Sequence, residues 1–255
     1  METLDLTVLG CWAPYPRAGG ACSGYLIRSG ETSVLVEAGH GTFGRLSGIM
    51  NFRNLAAVVI SHYHPDHSAD LSCVRHAIGG AIRDGSRKEL LPVYAPDEPS
   101  DEYGRLASYR EAFTVHPVDQ LPFIDGHRGV RIGSLDLSFL PTRHNLPCYA
   151  LSLASEGKRI VYTADSALFP DLVDFSRGAD LLVAEASGYH SDWEYLHRNH
   201  LTGRLAGELA RDADVGRLVL THLWPEYDVG RISDEAAAFY GGRLEAAEEH
   251  KTYQI

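Results

Sequence analysis

Residues 62–67 of this chain read His62-Tyr63-His64-Pro65-Asp66-His67, three imidazoles and a carboxylate in six positions, directly after the apolar run Leu55-Ala56-Ala57-Val58-Val59-Ile60. A short aliphatic run of this kind reads as a buried strand, and a strand end delivers side chains rigidly. Imidazole nitrogen and carboxylate oxygen are ligands of a borderline cation such as Zn²⁺, and mixed N/O ligation without thiolate suits a centre that keeps a position open for water. From the His and Asp frequencies of the chain, a chance match to His-x-His-x-Asp-His is on the order of a few in a thousand.

The flanking pattern says what the hexad joins. Leu71, Val74, Ile78 and Ile82 recur at helical spacing and predict a helix over 68–83, so the hexad links a strand end to a helix start. Before it, alternating apolar runs and turn signals predict strands over 4–9, 23–28, 33–37 and 56–60. Beyond it, strands are expected over 92–95, 135–140, 149–153, 159–162, 179–184 and 217–221, with Glu156-Gly157-Lys158 as a hairpin turn. Helices are expected over 100–112, 202–211 and 234–248. Strands with αβ alternation in both halves, roughly 1–125 and 126–255, fit two sheets sandwiched between helices better than one parallel sheet.

Composition narrows the function classes. A length of 255 residues with 44% hydrophobic and 22% charged residues fits one globular domain over 1–255. The net charge of −11 and the lack of any Lys/Arg run disfavour long nucleic acid as a partner. The start of the chain shows no charged leader, and no apolar stretch reaches membrane-spanning length, so a cytoplasmic protein without a membrane partner is expected. Cys11, Cys22, Cys73 and Cys148 form no Cys-x-x-Cys pair and read mostly as buried free thiols. The loop from Cys11 to Gly20 and the segment 188–199, with Tyr189, Trp193 and Tyr195, offer aromatics that line a pocket or simply pack; the sequence leaves both open.

Three further candidates stand at strand ends: His144, Asp165 and His222. Convergence of those ends with the hexad would collect five His and two Asp, enough for two metals sharing a carboxylate. Of the other histidines, His40, His76, His116, His127, His190, His197 and His250 match no motif, and packing is the default for each.

On His62-x-His64-x-Asp66-His67, His144 with Tyr149, Tyr162-Thr163-Ala164-Asp165-Ser166 and Thr221-His222, in that order, the chain resembles the metallo-β-lactamase superfamily. It is most similar to the phosphodiesterase branch around tRNase Z and related small zinc phosphodiesterases. The resemblance implies an αββα sandwich: two mixed β-sheets flanked by helices. It implies that His62, His64 and His144 hold one divalent metal, that Asp66, His67 and His222 hold the other, and that Asp165 bridges, with zinc first and manganese or iron as alternatives. Leu181-Leu182-Val183-Ala184-Glu185 and His200-Leu201-Thr202 resemble that branch's strand ending in Glu and its His-x-Thr helix start. By that resemblance Glu185 orients His200, which assists the scissile phosphate, while Asp66 orients or deprotonates water. Two departures stand out: Glu37-Ala38-Gly39 replaces the family's Asp-x-Gly, and the long tRNA-gripping insertion is missing.

The expectation is a two-metal phosphodiesterase that attacks small phosphodiesters, such as cyclic nucleotides, through a metal-bridging hydroxide. Alternatives are another hydrolase of the superfamily acting on a lactone, thioester or β-lactam, and a metal-binding protein without catalysis. A homodimer is left open.

Overall fold

In the computed structural model, which describes residues 3–255, the strands β1 (Leu4–Gly10), β2 (Gly24–Ser29) and β3 (Thr32–Val36) are buried on both faces. Successive strand side chains point to opposite faces. Val34 and Val36 therefore enter the core between two sheets, while Leu35 enters a second core beneath helices. The chain continues through α1 (Thr42–Ile49), β4 (Ala57–Val59), α2 (Pro65–Ser68), α3 (Leu71–Arg83), β5 (Leu91–Ala95), α4 (Ser100–Ala107) and β6 (Phe113–Pro117). It then runs through β7 (Phe123–Ile124), β8 (His127–Ile132), β9 (Leu135–Pro141), β10 (Tyr149–Ser155), β11 (Lys158–Tyr162), α5 (Pro170–Ser176) and β12 (Leu181–Glu185). The remainder is α6 (Trp193–Leu196), α7 (Gly203–Asp212), β13 (Arg217–Thr221), α8 (Val229–Ala237), β14 (Arg243–Ala246) and β15 (Thr252–Gln254).

One sheet has the order β15-β1-β2-β3-β4-β5-β6 and the other β14-β13-β12-β11-β10-β9-β8-β7. Both are mixed, so the chain adopts the expected αββα sandwich. Leu46, Leu71, Val74 and Ile78 cover the outside of the first sheet; Leu172, Leu209 and Ile232, from α5, α7 and α8, pack with the second. Neighbours from β3 to β6 are parallel, as are those from β11 to β14. β9 runs the same way as β11, because each pairs antiparallel with β10. Ligand groups in such sheets collect beyond the carboxyl ends of parallel strands, and the seven candidate ligands described below follow the ends of β4, β9, β11 and β13, with Glu37 just past β3 and Glu185 closing β12.

The structure corrects several expected elements. The helix over 234–248 is instead α8, ending at Ala237, and then β14. Gly241 and Gly242 interrupt the helix-forming composition, and parallel pairing of Leu218 with Leu244 outweighs local propensity. The polar helix over 100–112 stops at Ala107, and the helix over 68–83 begins at Leu71 as α3, with the separate turn α2 ahead of it. β6, β7, β8, β15, α1 and α5 had no expected counterpart. β15 also crosses the boundary between the two halves by returning to pair with β1. All four cysteines are free, with Cys73 exposed and the other three buried. Among the described residues, no helix is long and apolar enough to cross a membrane.

Candidate active site

The hexad sits where the pattern placed it, after β4. Pro65 occupies the first turn of α2, a position where its missing N–H matters little, and puts Asp66 and His67 on that turn. The segment Glu37-Ala38-Gly39 clamps it. The His67 carbonyl accepts from Ala38 N–H at 2.8 Å, the Ala38 carbonyl accepts from Asp70 N–H at 2.8 Å, and a Cβ on Gly39 would lie 2.1 Å from the Asp66 carbonyl oxygen. The Glu37 carboxylate accepts from Ser61 N–H at 3.1 Å and lies 3.2 Å from His67 Nδ1. The longer acid thus fills the supporting position that the family gives to Asp. Glu37, Ala164 and His222 adopt φ values of 61°, 49° and 56°. Left-handed backbone is uncommon without glycine and clusters at functional sites; these three residues lie in or next to the segments that carry the candidate ligands.

Two donor groups converge. His64 Nδ1 lies 2.9 Å from His62 Nε2 and 3.2 Å from His144 Nε2, and Asp165 Oδ2 lies 3.8 and 3.9 Å from the latter two nitrogens. His222 Nε2 lies 3.2 Å from both Asp66 Oδ2 and Asp165 Oδ2, and His67 Nε2 lies 3.5 Å from Asp66 Oδ2 and 3.3 Å from Asp165 Oδ1. The structure therefore brings together all seven expected ligands, as His62, His64, His144 and Asp165 on one side and Asp66, His67 and His222 on the other. Asp165 reaches both groups.

These residues fit cations. Ligands about 2.0–2.1 Å from a tetrahedral zinc lie roughly 3.3 Å from one another, which is the spacing seen. His67 Nε2, His222 Nε2 and Asp165 Oδ1 are buried without a hydrogen-bond partner among the described residues, an arrangement that is costly unless something else satisfies them. The opposite ring nitrogens are engaged: His62 Nδ1 with Ser61 Oγ at 2.9 Å, His144 Nδ1 with the Asn199 carbonyl at 3.2 Å, and His222 Nδ1 with Ser187 Oγ at 2.7 Å. Holding the proton on the outer nitrogen leaves the inner lone pair free to bind metal.

The electrostatics agree. Burial pulls His62, His64 and His144 below the ordinary imidazole value, which keeps them neutral. Burial also opposes charge on His67 and His222, but the Asp165 and Asp66 carboxylates outweigh it, holding His67 well above its usual value and raising His222 to about 10. Burial would raise Asp66 and Asp165, yet the facing imidazoles keep both below the usual carboxylate range. The cluster draws positive charge inward.

Glu185 and His200 meet beside it. His200 Nδ1 is 3.2 and 3.3 Å from the two Glu185 oxygens and 3.9 Å from Asp165 Oδ2. Glu185 is fully buried and also accepts from Ser166 N–H at 2.7 Å. Thr202 caps α7 by accepting from Leu205 N–H at 3.3 Å, which sets His200 just ahead of the helix. The sequence reading missed Ser187. Its hydroxyl donates to Glu185 at 2.5 Å and meets His222 Nδ1, so one serine ties the carboxylate to a candidate ligand. Serine has no ligand signature, and its position two residues after Glu185 is the only sequence cue.

A pocket of about 410 Å³ opens over the cluster, lined among others by Ala13, Pro14, His64, Asp66, Asn145, Asp165, Ser187, Tyr195, Asn199, His200, His222 and Trp224. That size suits a small molecule. The aromatics left open by the sequence divide. Tyr195 lines the pocket, whereas Tyr189 packs on Tyr227 and Trp193 on His197. In the other loop, Trp12 is buried, and Tyr15 stands outside with its hydroxyl accepting from Trp224 Nε1 at 3.0 Å. His40 is exposed and outside the site, while His116 and His127 pack against Tyr94 and Phe175.

Residues 32–223 match the family described as "Beta-lactamase superfamily domain". The chain is 32% identical over 249 residues to the Bacillus subtilis (strain 168) protein named "Probable metallo-hydrolase YhfI", covering 96% of this chain and 97% of that one. The crystal structure of YhfI superposes with a TM-score of 0.91 at 30% identity over 99% of this chain and all of the other. A ribonuclease Z of Thermobifida fusca (strain YX) is 26% identical over 304 residues, covering 98% of this chain and 94% of that one. By the matched family, the whole-length relatives and the His/Asp cluster, this chain belongs to the β-lactamase superfamily and is one of its metallo-hydrolases.

Proposed function

We propose that the protein hydrolyses small phosphodiesters, cyclic nucleotides foremost, at a centre of two divalent cations, zinc first and manganese or iron as alternatives. His62, His64 and His144 would hold one cation and Asp66, His67 and His222 the other, with Asp165 shared. Bound there, the cations supply Lewis acidity: they acidify water and neutralise charge building on phosphorus, worth several kcal/mol. Asp66, in the pocket lining, orients the attacking water. His200 carries its Nδ1 proton toward Glu185 and turns Nε2 to the pocket, where it donates a proton to the leaving alkoxide.

The observation that carries this reading is the buried Glu185 within hydrogen-bond reach of His200 beside Asp165. Similarity to a ribonuclease Z supports phosphodiester chemistry, while the −11 charge turns the site toward small substrates. The test is turnover by metal-loaded protein of bis(p-nitrophenyl) phosphate, a cyclic-nucleotide panel, lactones and β-lactams. Metal-dependent phosphodiester cleavage is expected, with His200→Ala lowering kcat by roughly 100- to 10,000-fold at unchanged metal content. No phosphodiester turnover would overturn the reading, and lactone or β-lactam turnover alone would replace it.

A further inference from the structure

Resting on the phosphodiesterase reading, we infer that Tyr195 and Trp224 form a ring-binding wall that selects a phosphodiester carrying one planar ring and a single phosphate. Tyr195 is 79% exposed although it lines the pocket. Its neighbours Tyr189 and Trp193 spend their faces on Tyr227 and His197, each at 4.4 Å. Trp224 is held in place: its indole N–H donates to Tyr15 Oη at 3.0 Å, Tyr15 donates to Glu226 at 3.1 Å, and Tyr227 packs edge-on at 5.1 Å. An indole fixed in this way is pre-organised, so a ring stacking on it orders little else.

Charge sets the second half of the selection. Among the described residues, no Lys or Arg lines the pocket over the His/Asp cluster. On the other side of Tyr195 and Trp224 lies a second cavity of about 370 Å³, which shares both residues and is lined also by Asp192 and Glu194. A phosphate seated at the cluster can pair with cations there, but a second phosphate passing the aromatic wall meets the Asp192 and Glu194 carboxylates beside the Ser191 and Tyr227 hydroxyls, with no Lys or Arg among the lining residues. A nucleoside cyclic monophosphate satisfies both conditions. An RNA chain or a dinucleotide with further phosphates does not.

Binding, measured by calorimetry on metal-loaded protein, tests this apart from turnover. Three probes are compared: adenosine 3′,5′-cyclic phosphorothioate, dimethyl phosphate, and the 5′-phosphorylated dinucleotide pApA. The cyclic phosphorothioate is expected to bind at least about five-fold tighter than either of the others, since stacking on an aromatic residue contributes roughly five- to a hundred-fold per base. Tyr195→Ala, a surface change, and Trp224→Ala should each shrink the preference over dimethyl phosphate, while Tyr195→Phe retains it. Ligand quenching of tryptophan fluorescence should disappear in Trp224→Phe. Equal binding of the cyclic phosphorothioate and dimethyl phosphate, a preference that survives both alanine variants, or tighter binding of pApA would overturn the inference. A protein that binds the ring but cleaves no diester keeps the wall and loses the phosphodiesterase reading.

Discussion

The two sheets supply the candidate metal-facing groups by different means. The first gives His62, His64, Asp66 and His67 from one segment, shaped by backbone hydrogen bonds to Ala38 and by a glycine contact that admits no side chain. The second gives His144, Asp165 and His222 from three separate strand ends, held by side chains and loop carbonyls: Ser187 on His222 and the Asn199 carbonyl on His144. A contiguous segment keeps its donors together by local geometry. A distributed set depends on strand register, here Tyr162 beside Val183 and Glu185 beside Thr221.

Asp165 is the point at which the two arrangements depend on each other, and its replacement has the largest expected effect. Asp165→Asn keeps the shape but removes a charge facing five imidazoles. Turnover should fall on the order of a thousand-fold or more, and metal content measured by elemental analysis should drop at both sites. Retention of both metals would show that the two sheets bind independently.

Smaller effects compare the supports. Glu37→Gln weakens the grip on His67 and Ser61 in the first sheet's segment; Ser187→Ala severs the link from Glu185 to His222 in the second. Changes to groups behind the ligands typically cost about 10- to 100-fold in metal affinity. Because Glu37 touches both backbone and ligand, its variant should fall near the upper end and Ser187→Ala near the lower, as read by chelator competition. The reverse order would mean that the distributed half depends more on its supports than the contiguous half does.

The mildest change probes packing alone. Gly39→Ala forces a Cβ against the Asp66 carbonyl and should lower stability by about 1–3 kcal/mol, or several degrees in Tm. Gly44→Ala in α1, where a Cβ meets nothing within 4 Å, should leave stability unchanged or raise it by up to about 1 kcal/mol. Equal melting points would remove the steric argument for the Glu37-Ala38-Gly39 clamp.

The same contrast governs how much was legible in the chain. The hexad could be read from residue types and spacing because its donors are neighbours and its flanks carry a strand run and a helical period. His144, Asp165, His222, Glu185 and His200 were found by their position after apolar runs and by family order. Ser187 went unread because a hydroxyl gains its role only from what faces it. The helix over 234–248 failed because Glu/Ala-rich composition favours a helix locally, while an open strand edge on β13 offered β14 a better partner. The strands β6, β8 and β15 were missed because their half-polar patterns carry little periodic signal until paired.

The sequence by itself determined the candidate ligand set, the sandwich of two sheets and the strand-to-helix junction, since these follow from residue type, burial period and turn residues acting over short range. Only the tertiary structure decided that Asp165 touches both donor groups, that Ser187 couples Glu185 to His222, and that Tyr195 with Trp224 stands between the pocket and an acidic cavity. Those are relations between residues far apart in the chain, and parallel register and sheet packing fix their distances.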